Sequence, residues 1–392
     1  MRRKFYNILL DWKEKRADKY AVLIDGARRV GKSWIAEEFG KREYEKCMQI
    51  DFSKASPALK RIFVENLHDL DTFFLLIENE MGVRLVKGKS LVIFDEVQEF
   101  PRAREAIKAL VKDGRYHYIE TGSLISIKKN TEGIVIPSEE LHLRMYPMDF
   151  EEFLWAIGRE SAMEVARTFF EKRAPLGQEV NRRMMEAYRQ YLVVGGMPQS
   201  VAEFVQSRDL REVDISKRAI LDLYRQDIWK HAGGLAAKVE RIFDEIPDQL
   251  SKHEKKFKVS DLEETAKMRD YADSFKWLES AMFVNLAWNS TEPNVGLKLN
   301  LNRQSVKCYM SDTGLLVSHA FDENALASAE VHRRILLDRI ELNKGMLVEN
   351  MAAQMLTAAG RKLYFHSESS PNVADDRMEI DFLVAKARLT AR

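Results

Sequence analysis

One stretch constrains this chain more than any other: Gly26, Ala27, Arg28, Arg29, Val30, Gly31, Lys32 and Ser33, in the spacing G-x-x-x-x-G-K-S. Two glycines let a backbone curl tightly enough for successive N–H groups to point at phosphate oxygens. A lysine at this spacing reaches the β and γ phosphates of a nucleotide, and the serine hydroxyl after it can hold Mg²⁺. The expected ligand surface runs from Gly26 through Ser33 to Trp34. Arg28 and Arg29 are expected to turn their side chains outward while their amides serve the phosphates.

The flanks supply the context that such a loop needs. Residues 20–24 read as a short buried strand, and residues 34–39 as a helix with apolar Ile35 and Phe39. Strand, glycine-rich turn and helix place the positive end of a helix at the phosphates.

A second element is the apolar run of residues 90–94 that ends in Asp95 and Glu96. Two acids at the end of a buried strand are costly unless they serve an ion or a partner. Asp95 is expected to help Ser33 hold Mg²⁺, and Glu96 to polarise an attacking water as general base. A third strand, residues 115–120, leads into Thr121, Gly122 and Ser123. Ser123 is the preferred sensor of the γ phosphate, with Thr121 second, and Gln98 is a weaker candidate reader of the nucleotide state. The expected catalytic set is therefore Lys32, Glu96 and Ser123.

Composition narrows the class without naming it. Apolar residues make up 45% and charged residues 31% of 392, ordinary for a soluble intracellular protein of two or three domains. A net charge of +1 argues neither for nor against a nucleic-acid partner. Cys47 and Cys308 are too few for a disulfide framework and read as small buried residues. No apolar window is long enough for a membrane span, and the basic start reaches Asp11 and Glu14 before any secretory core forms. The expected location is the cytoplasm.

Up to about residue 155 strands alternate with helices, which implies an α/β fold with a mostly parallel sheet and ligand chemistry at the carboxyl ends of its strands. Beyond it the periodicity is helical: residues 149–157, 162–172, 180–193, 201–206, 215–229, 242–250 and 261–285. Residues 288–301 read as a hairpin, and helices followed by a hairpin resemble a winged-helix module. The local basic run from Lys252 to Lys258 can meet a phosphate backbone or be a solvated loop, with the loop favoured.

The whole pattern resembles the prokaryotic AAA-superfamily ATPases that carry a C-terminal domain of unknown function called DUF4143. The residues concerned are 26–33, 95–98, 121–123, 146–153, 195–198, 246–250, 311–316 and 345–350. The resemblance implies ATP and Mg²⁺ as ligands and ATP hydrolysis driving a conformational switch. It divides the chain into a P-loop domain at 1–155, a helical lid-like region at 156–235, a winged-helix-like domain at 236–330 and a partial restriction-endonuclease-like domain at 331–392. In that last part Glu349 and Asp381 match acids of a nuclease pattern. No E-x-K follows, however. The sequence runs only to Arg392, and the one lysine after Asp381, Lys386, lacks a paired acid. The expectation is an incomplete domain without a nuclease site.

Water as acceptor agrees with the acid pair, and no N-K-x-D guanine reader is present, so ATP is favoured over GTP. Arg218 and Arg225 are candidate arginines for the γ phosphate. DNA, a partner protein and a second copy of the chain stay open as partners. The rival reading is an ATP-regulated DNA-binding protein with little turnover.

Overall fold

An uninterrupted apolar run makes β1 (Ala21–Gly26), and all six of its residues are buried. The computed structural model describes residues 1–123, 137–293, 296–321, 325–337, 344–369 and 377–385. The chain divides into two units, Met1–Tyr146 and Pro147–Arg392.

In the first unit, helix α1 (Phe5–Lys15) precedes β1, and α2 (Lys32–Glu43) follows the glycine-rich loop. Then come β2 (Lys46–Asp51), α3 (Pro57–Glu65), α4 (Leu70–Met81), β3 (Ser90–Asp95), α5 (Pro101–Asp113), β4 (His117–Gly122) and β5 (Glu140–Met145). Among the described residues these strands form a parallel sheet in the order β2-β3-β4-β1-β5. The connection after β1 runs to the far edge of the sheet, so the loop leaves at a topological switch point, where such sheets bind ligands.

Side-chain alternation gives this sheet two faces. Leu23, Ile50, Phe94 and Tyr118 share one core with Phe63 of α3, Phe73 of α4 and Ile107 of α5. Phe52, Phe63 and Phe94 meet edge to face there, with centroids 5.4–5.6 Å apart. Helix α2 packs on the opposite face, where Gly40 lies too close to Cys47 and Leu91 for any side chain. Local signals fix the ends: Ser56 caps α3 by accepting from the Leu59 amide at 3.0 Å, and Gly114 ends α5 in the left-handed region at φ 71°.

The second unit begins with helices: α6 (Phe150–Ala156), α7 (Ala162–Glu171), α8 (Gln178–Val194), α9 (Pro198–Ser207), α10 (Leu210–His231), α11 (Ala236–Ser251) and α12 (Met268–Ser280). Asp149 and Glu152 form a capping box at the start of α6, and Glu151 pairs with Arg167 at 2.7 Å, which accounts for the three acids of the segment at 146–153. The helix expected over 261–285 is confined to α12. Met282 takes φ 58° and turns the chain into β6 (Val284–Ser290). After β7 (Leu301–Met310) follow α13 (Thr313–Ala320), α14 (Ala325–Leu336), α15 (Lys344–Ala358), β8 (Leu363–Ser369) and β9 (Arg377–Leu383).

β6 and β7 pair antiparallel, as a hairpin would. They also continue into β8 and β9, and the sheet has the order β7-β6-β8-β9 among the described residues. The hairpin is thus one side of a larger mixed sheet. Among the described residues, no helix is long and apolar enough to cross a membrane.

Candidate functional site

The carboxyl end of β1 delivers the loop. An added Cβ at Gly26 would lie 2.5 Å from the Met145 carbonyl oxygen of β5, so the first glycine is required by close approach of two backbones. Gly31 takes φ 94° and Arg29 φ 70°, the left-handed turns that let neighbouring amides converge. Ala27 and Val30 are buried while the side chains of Arg28 and Arg29 are exposed. Arg3 pins the loop from α1's side: its guanidinium donates to the Val30 carbonyl at 3.1 Å and to the Tyr146 carbonyl at 2.7 Å.

Lys32 opens α2 with its ammonium buried, donating to the Gly26 and Ala27 carbonyls at 3.0 Å each. Burial pulls its pKa below the ordinary value, and Glu96, Asp25 and Asp95 pull the other way. Ser33, one residue on, donates to Asp95 Oδ1 at 2.7 Å. Asp95 ends β3 nearly buried. It also accepts from Gln49 Nε2 of β2 at 3.1 Å and from the Thr121 hydroxyl of β4. Three neighbouring strands and α2 therefore converge on one carboxylate.

Glu96 follows with φ 54°, a strained left-handed setting for a glutamate. Its amide donates to Thr121 Oγ1 at 3.4 Å, and its carboxylate accepts from Gln98 Nε2. Ser123 lies one residue past the end of β4, half-buried. Of the two sensor candidates, Thr121 is the one whose hydroxyl touches both acids' residues. Trp34 is 41% exposed and lines a cavity of about 410 Å³ together with Arg3, Tyr6, Asn7, Glu38 and Arg42.

A hydroxyl beside a carboxylate is a hard oxygen pair, the donor type that Mg²⁺ takes, with water and phosphate filling the remaining positions. Among the described residues no three His, Cys, Asp or Glu side chains gather to hold a metal by themselves. The Ser33 hydroxyl and the Asp95 carboxylate, 2.7 Å apart, are such a hard oxygen pair.

The other face of the same sheet carries charge that sequence reasoning missed. Arg104 of α5 grips Glu140 of β5 at 2.8 and 2.6 Å, with both side chains buried. His142 Nε2 lies 2.6 Å from Glu140 Oε1, and its Nδ1 lies 4.0 Å from Asp25 Oδ2. Burial, then the adjacent Glu140 charge, pushes the Glu120 carboxyl well above the ordinary range, so it keeps its proton. The signal for Asp25 was present as a lone acid in an apolar strand directly before Gly26. For Gln49 it was a polar side chain inside β2.

The remaining candidates are engaged within the second unit. Arg218 bonds Asp214 at 2.8 Å and the Phe321 carbonyl at 3.1 Å, and Arg225 bonds Asp244 at 3.2 Å. The basic run is interlaced with acids: Lys252 with Asp248 and Asp261, Lys256 and Lys258 with Glu254, Lys255 with Glu349. Glu349 also accepts from the Tyr309 hydroxyl at 3.1 Å. Lys307 sits 2.8 Å from both Asp381 and Glu379. Lys386 lies outside the described residues.

Comparison with known proteins places names on parts of the chain. No curated protein sequence matches it. Among solved structures, AMPPCP-bound DnaA from Aquifex aeolicus is similar at 13% identity, with 70% of this chain and 84% of that one covered and a TM-score of 0.30. The Thermotoga maritima RuvB Holliday junction branch migration motor is similar at 14% identity, with 72% and 87% covered and a TM-score of 0.32. Drosophila ORC bound to DNA gives 13% identity, 78% and 91% covered, and a TM-score of 0.33. Likenesses this distant say nothing of function. Residues 185–325 match a domain of unknown function, DUF8612, which corrects the expected DUF4143. The motifs at 195–198 and 311–316 that suggested DUF4143 lie inside that match and serve as packing joints in the second unit. Residues 18–154, which include the glycine-rich loop, Asp95, Glu96 and β4, match an AAA domain, so an N-terminal AAA-type P-loop domain precedes the DUF8612 match.

Proposed function

We propose that this chain binds ATP with Mg²⁺ through its first unit and hydrolyses it to ADP and phosphate, using the cycle to switch conformation. The observation that carries the reading is the convergence of Ser33, Gln49 and Thr121 on Asp95, with Glu96 next in sequence.

The chain's own groups divide the work. Loop amides from Ala27 to Ser33 face the phosphates, and Lys32 exchanges the Gly26 and Ala27 carbonyls for β and γ oxygens. Ser33 and Asp95 hold Mg²⁺, which supplies neutralisation of phosphate charge when bound. Glu96 takes a proton from the attacking water as its oxygen bonds the γ phosphorus and the bond to the ADP oxygen breaks. Thr121 and Ser123 report the γ phosphate to β4. The cavity beside Trp34 suits the nucleoside, since an aromatic face and amide groups offer stacking and hydrogen bonds.

Phosphoryl transfer of this type usually draws on a further arginine. Arg218 and Arg225 are bound to Asp214 and Asp244. The proposed source is therefore a second copy of the chain or a partner protein. The reading assigns the activity to the cytoplasm, where ATP is available. A DNA-binding role is disfavoured by the acids that neutralise the run from Lys252 to Lys258. No nuclease activity is proposed, because lysines occupy Glu349 and Asp381.

Calorimetric titration of Mg-ATP into the wild type and a Lys32→Ala variant tests the reading. Affinity falls at least about tenfold in the variant, because a buried charge-assisted contact is lost. Equal affinity contradicts it.

A further inference from the structure

An anion site gains nothing from a carboxylate behind it, yet Asp25 stands directly before the first glycine of the phosphate loop. Its side chain is nearly buried, and Oδ1 has no hydrogen-bond partner among the described residues. Its charge reaches the loop, where it acts on Lys32 together with Glu96 and Asp95. A polyphosphate entering the loop would therefore meet a third carboxylate beside those of Asp95 and Glu96.

The neighbouring strand carries the answering charge. In the β1–β5 register Leu23 lies opposite His142 and Asp25 opposite Arg144, so His142 and Asp25 share one face of the sheet. His142 has a carboxylate at each ring nitrogen: Asp25 Oδ2 is 4.0 Å from Nδ1 and Glu140 Oε1 is 2.6 Å from Nε2. Asp25 at 4.0 Å acts on the ring as a charge rather than as a hydrogen-bond acceptor, and a carboxylate on each side of an imidazole favours its cationic form. Arg104 of α5 approaches to 3.4 Å but is committed to Glu140. Glu120 of β4 keeps its proton, and Arg144 stands two residues further along β5. Arg104 and His142 thus bring two cations to the two carboxylates of Glu140 and Asp25, so the His142 charge is the one within ion-pair distance of Asp25. The carboxylates of Asp25 and then Glu140 push the ring pKa up to about 9.

We infer that the His142 cation cancels the Asp25 carboxylate and so keeps the phosphate loop receptive to a polyphosphate; this rests on the ATP reading above. His142 is a positioning residue in this sense. It touches no substrate and acts through Asp25.

ATP binding by His142→Gln, Asp25→Asn, the double variant and His142→Lys, measured by titration near pH 7.5, separates charge from shape. His142→Gln weakens ATP binding about 5- to 20-fold, the size of one uncompensated charge at partial screening. Asp25→Asn binds at least as tightly as wild type, the double variant recovers to within about twofold of Asp25→Asn, and His142→Lys stays near wild type because the cation is kept. Wild-type affinity falls more steeply than that of Asp25→Asn as pH rises through 9. The inference is overturned if His142→Gln binds as wild type, or if Asp25→Asn does not restore binding in variants with an unchanged melting temperature. Proton-NMR titration of His142 without nucleotide supplies a separate readout. The ring pKa drops toward the ordinary value in Asp25→Asn, and an unchanged value overturns the pairing. If wild type binds no ATP at all, the ATP reading fails and this inference with it, whereas a normal wild-type affinity with no His142 effect removes this inference alone.

Discussion

The Ser33 hydroxyl donates to Asp95 Oδ1 across 2.7 Å, joining the first turn of α2 to the end of β3 over 62 positions of sequence. The contact brings together two segments that the sequence marks separately, one by its glycine spacing and one by acids at the end of an apolar strand. Both oxygens present themselves on the α2 face of the sheet, at the end where the loop opens.

Ser33→Ala removes one of these oxygens and leaves Asp95 with its bonds from Gln49 and Thr121. The Mg²⁺ concentration for half-maximal ATP hydrolysis rises at least about tenfold, with little change in melting temperature. A titration of phosphate release against Mg²⁺ checks this.

Thr121→Val keeps the shape of the side chain and removes the hydroxyl that donates to Asp95 and accepts from the Glu96 amide. Both acids lose a restraint, so kcat falls about 10- to 100-fold while ATP affinity changes by less than about threefold. Ser123→Ala lowers kcat by a smaller factor. Steady-state kinetics on the pair of variants ranks the two residues.

Glu120→Gln is expected to stabilise the first unit near neutral pH. The folded protein keeps a proton on Glu120 that the unfolded chain releases above the ordinary glutamate pKa, so the folded state is penalised increasingly as pH rises past that point. The amide carries no such penalty. The gain in melting temperature is therefore near zero at pH 4 and grows toward pH 7.5, which scanning fluorimetry across pH measures. By contrast, Arg104→Ala removes the two-bonded partner of buried Glu140, leaving it only His142, and costs about 3 kcal/mol.

In the second unit, Gly195, Gly196, Asp312 and Gly314 form one joint. Met148 N donates to the Gly196 carbonyl at 2.6 Å, and the Gly196 amide donates to Asp312 Oδ2 at 2.5 Å. An added Cβ at Gly196 would overlap the Met148 carbonyl, and one at Gly314 would lie 2.5 Å from the Val194 carbonyl oxygen. Gly196→Ala costs about 3 kcal/mol or more, because backbone rather than a flexible side chain would have to move. Urea unfolding followed by circular dichroism tests it.

Local signals carried much of the first unit. The loop spacing, the buried strand before it and the apolar run ending in Asp95 and Glu96 are short-range patterns, and each corresponds to an element of the parallel sheet. Long-range pairing was not legible. Asp25, Glu120 and the pair Glu140 and His142 sit on three strands, β1, β4 and β5, and only strand order and register bring them to one face of the sheet. The same holds for the second unit, where β6 finds β8 about 75 residues later and the helical period over 261–285 hid the turn at Met282. Motifs at 195–198 and 311–316 were read as marks of a family. Their physical content is the glycine joint around Asp312, and the domain they lie in is DUF8612.

The most direct test of the account is phosphate release from Mg-ATP by the wild type and by Glu96→Gln, with ATP binding measured on the same samples. The account predicts turnover by the wild type and a fall of at least about 100-fold in Glu96→Gln, with binding retained, because only the proton acceptor is removed. No phosphate release by a wild type that binds ATP, or equal release by the variant, contradicts it.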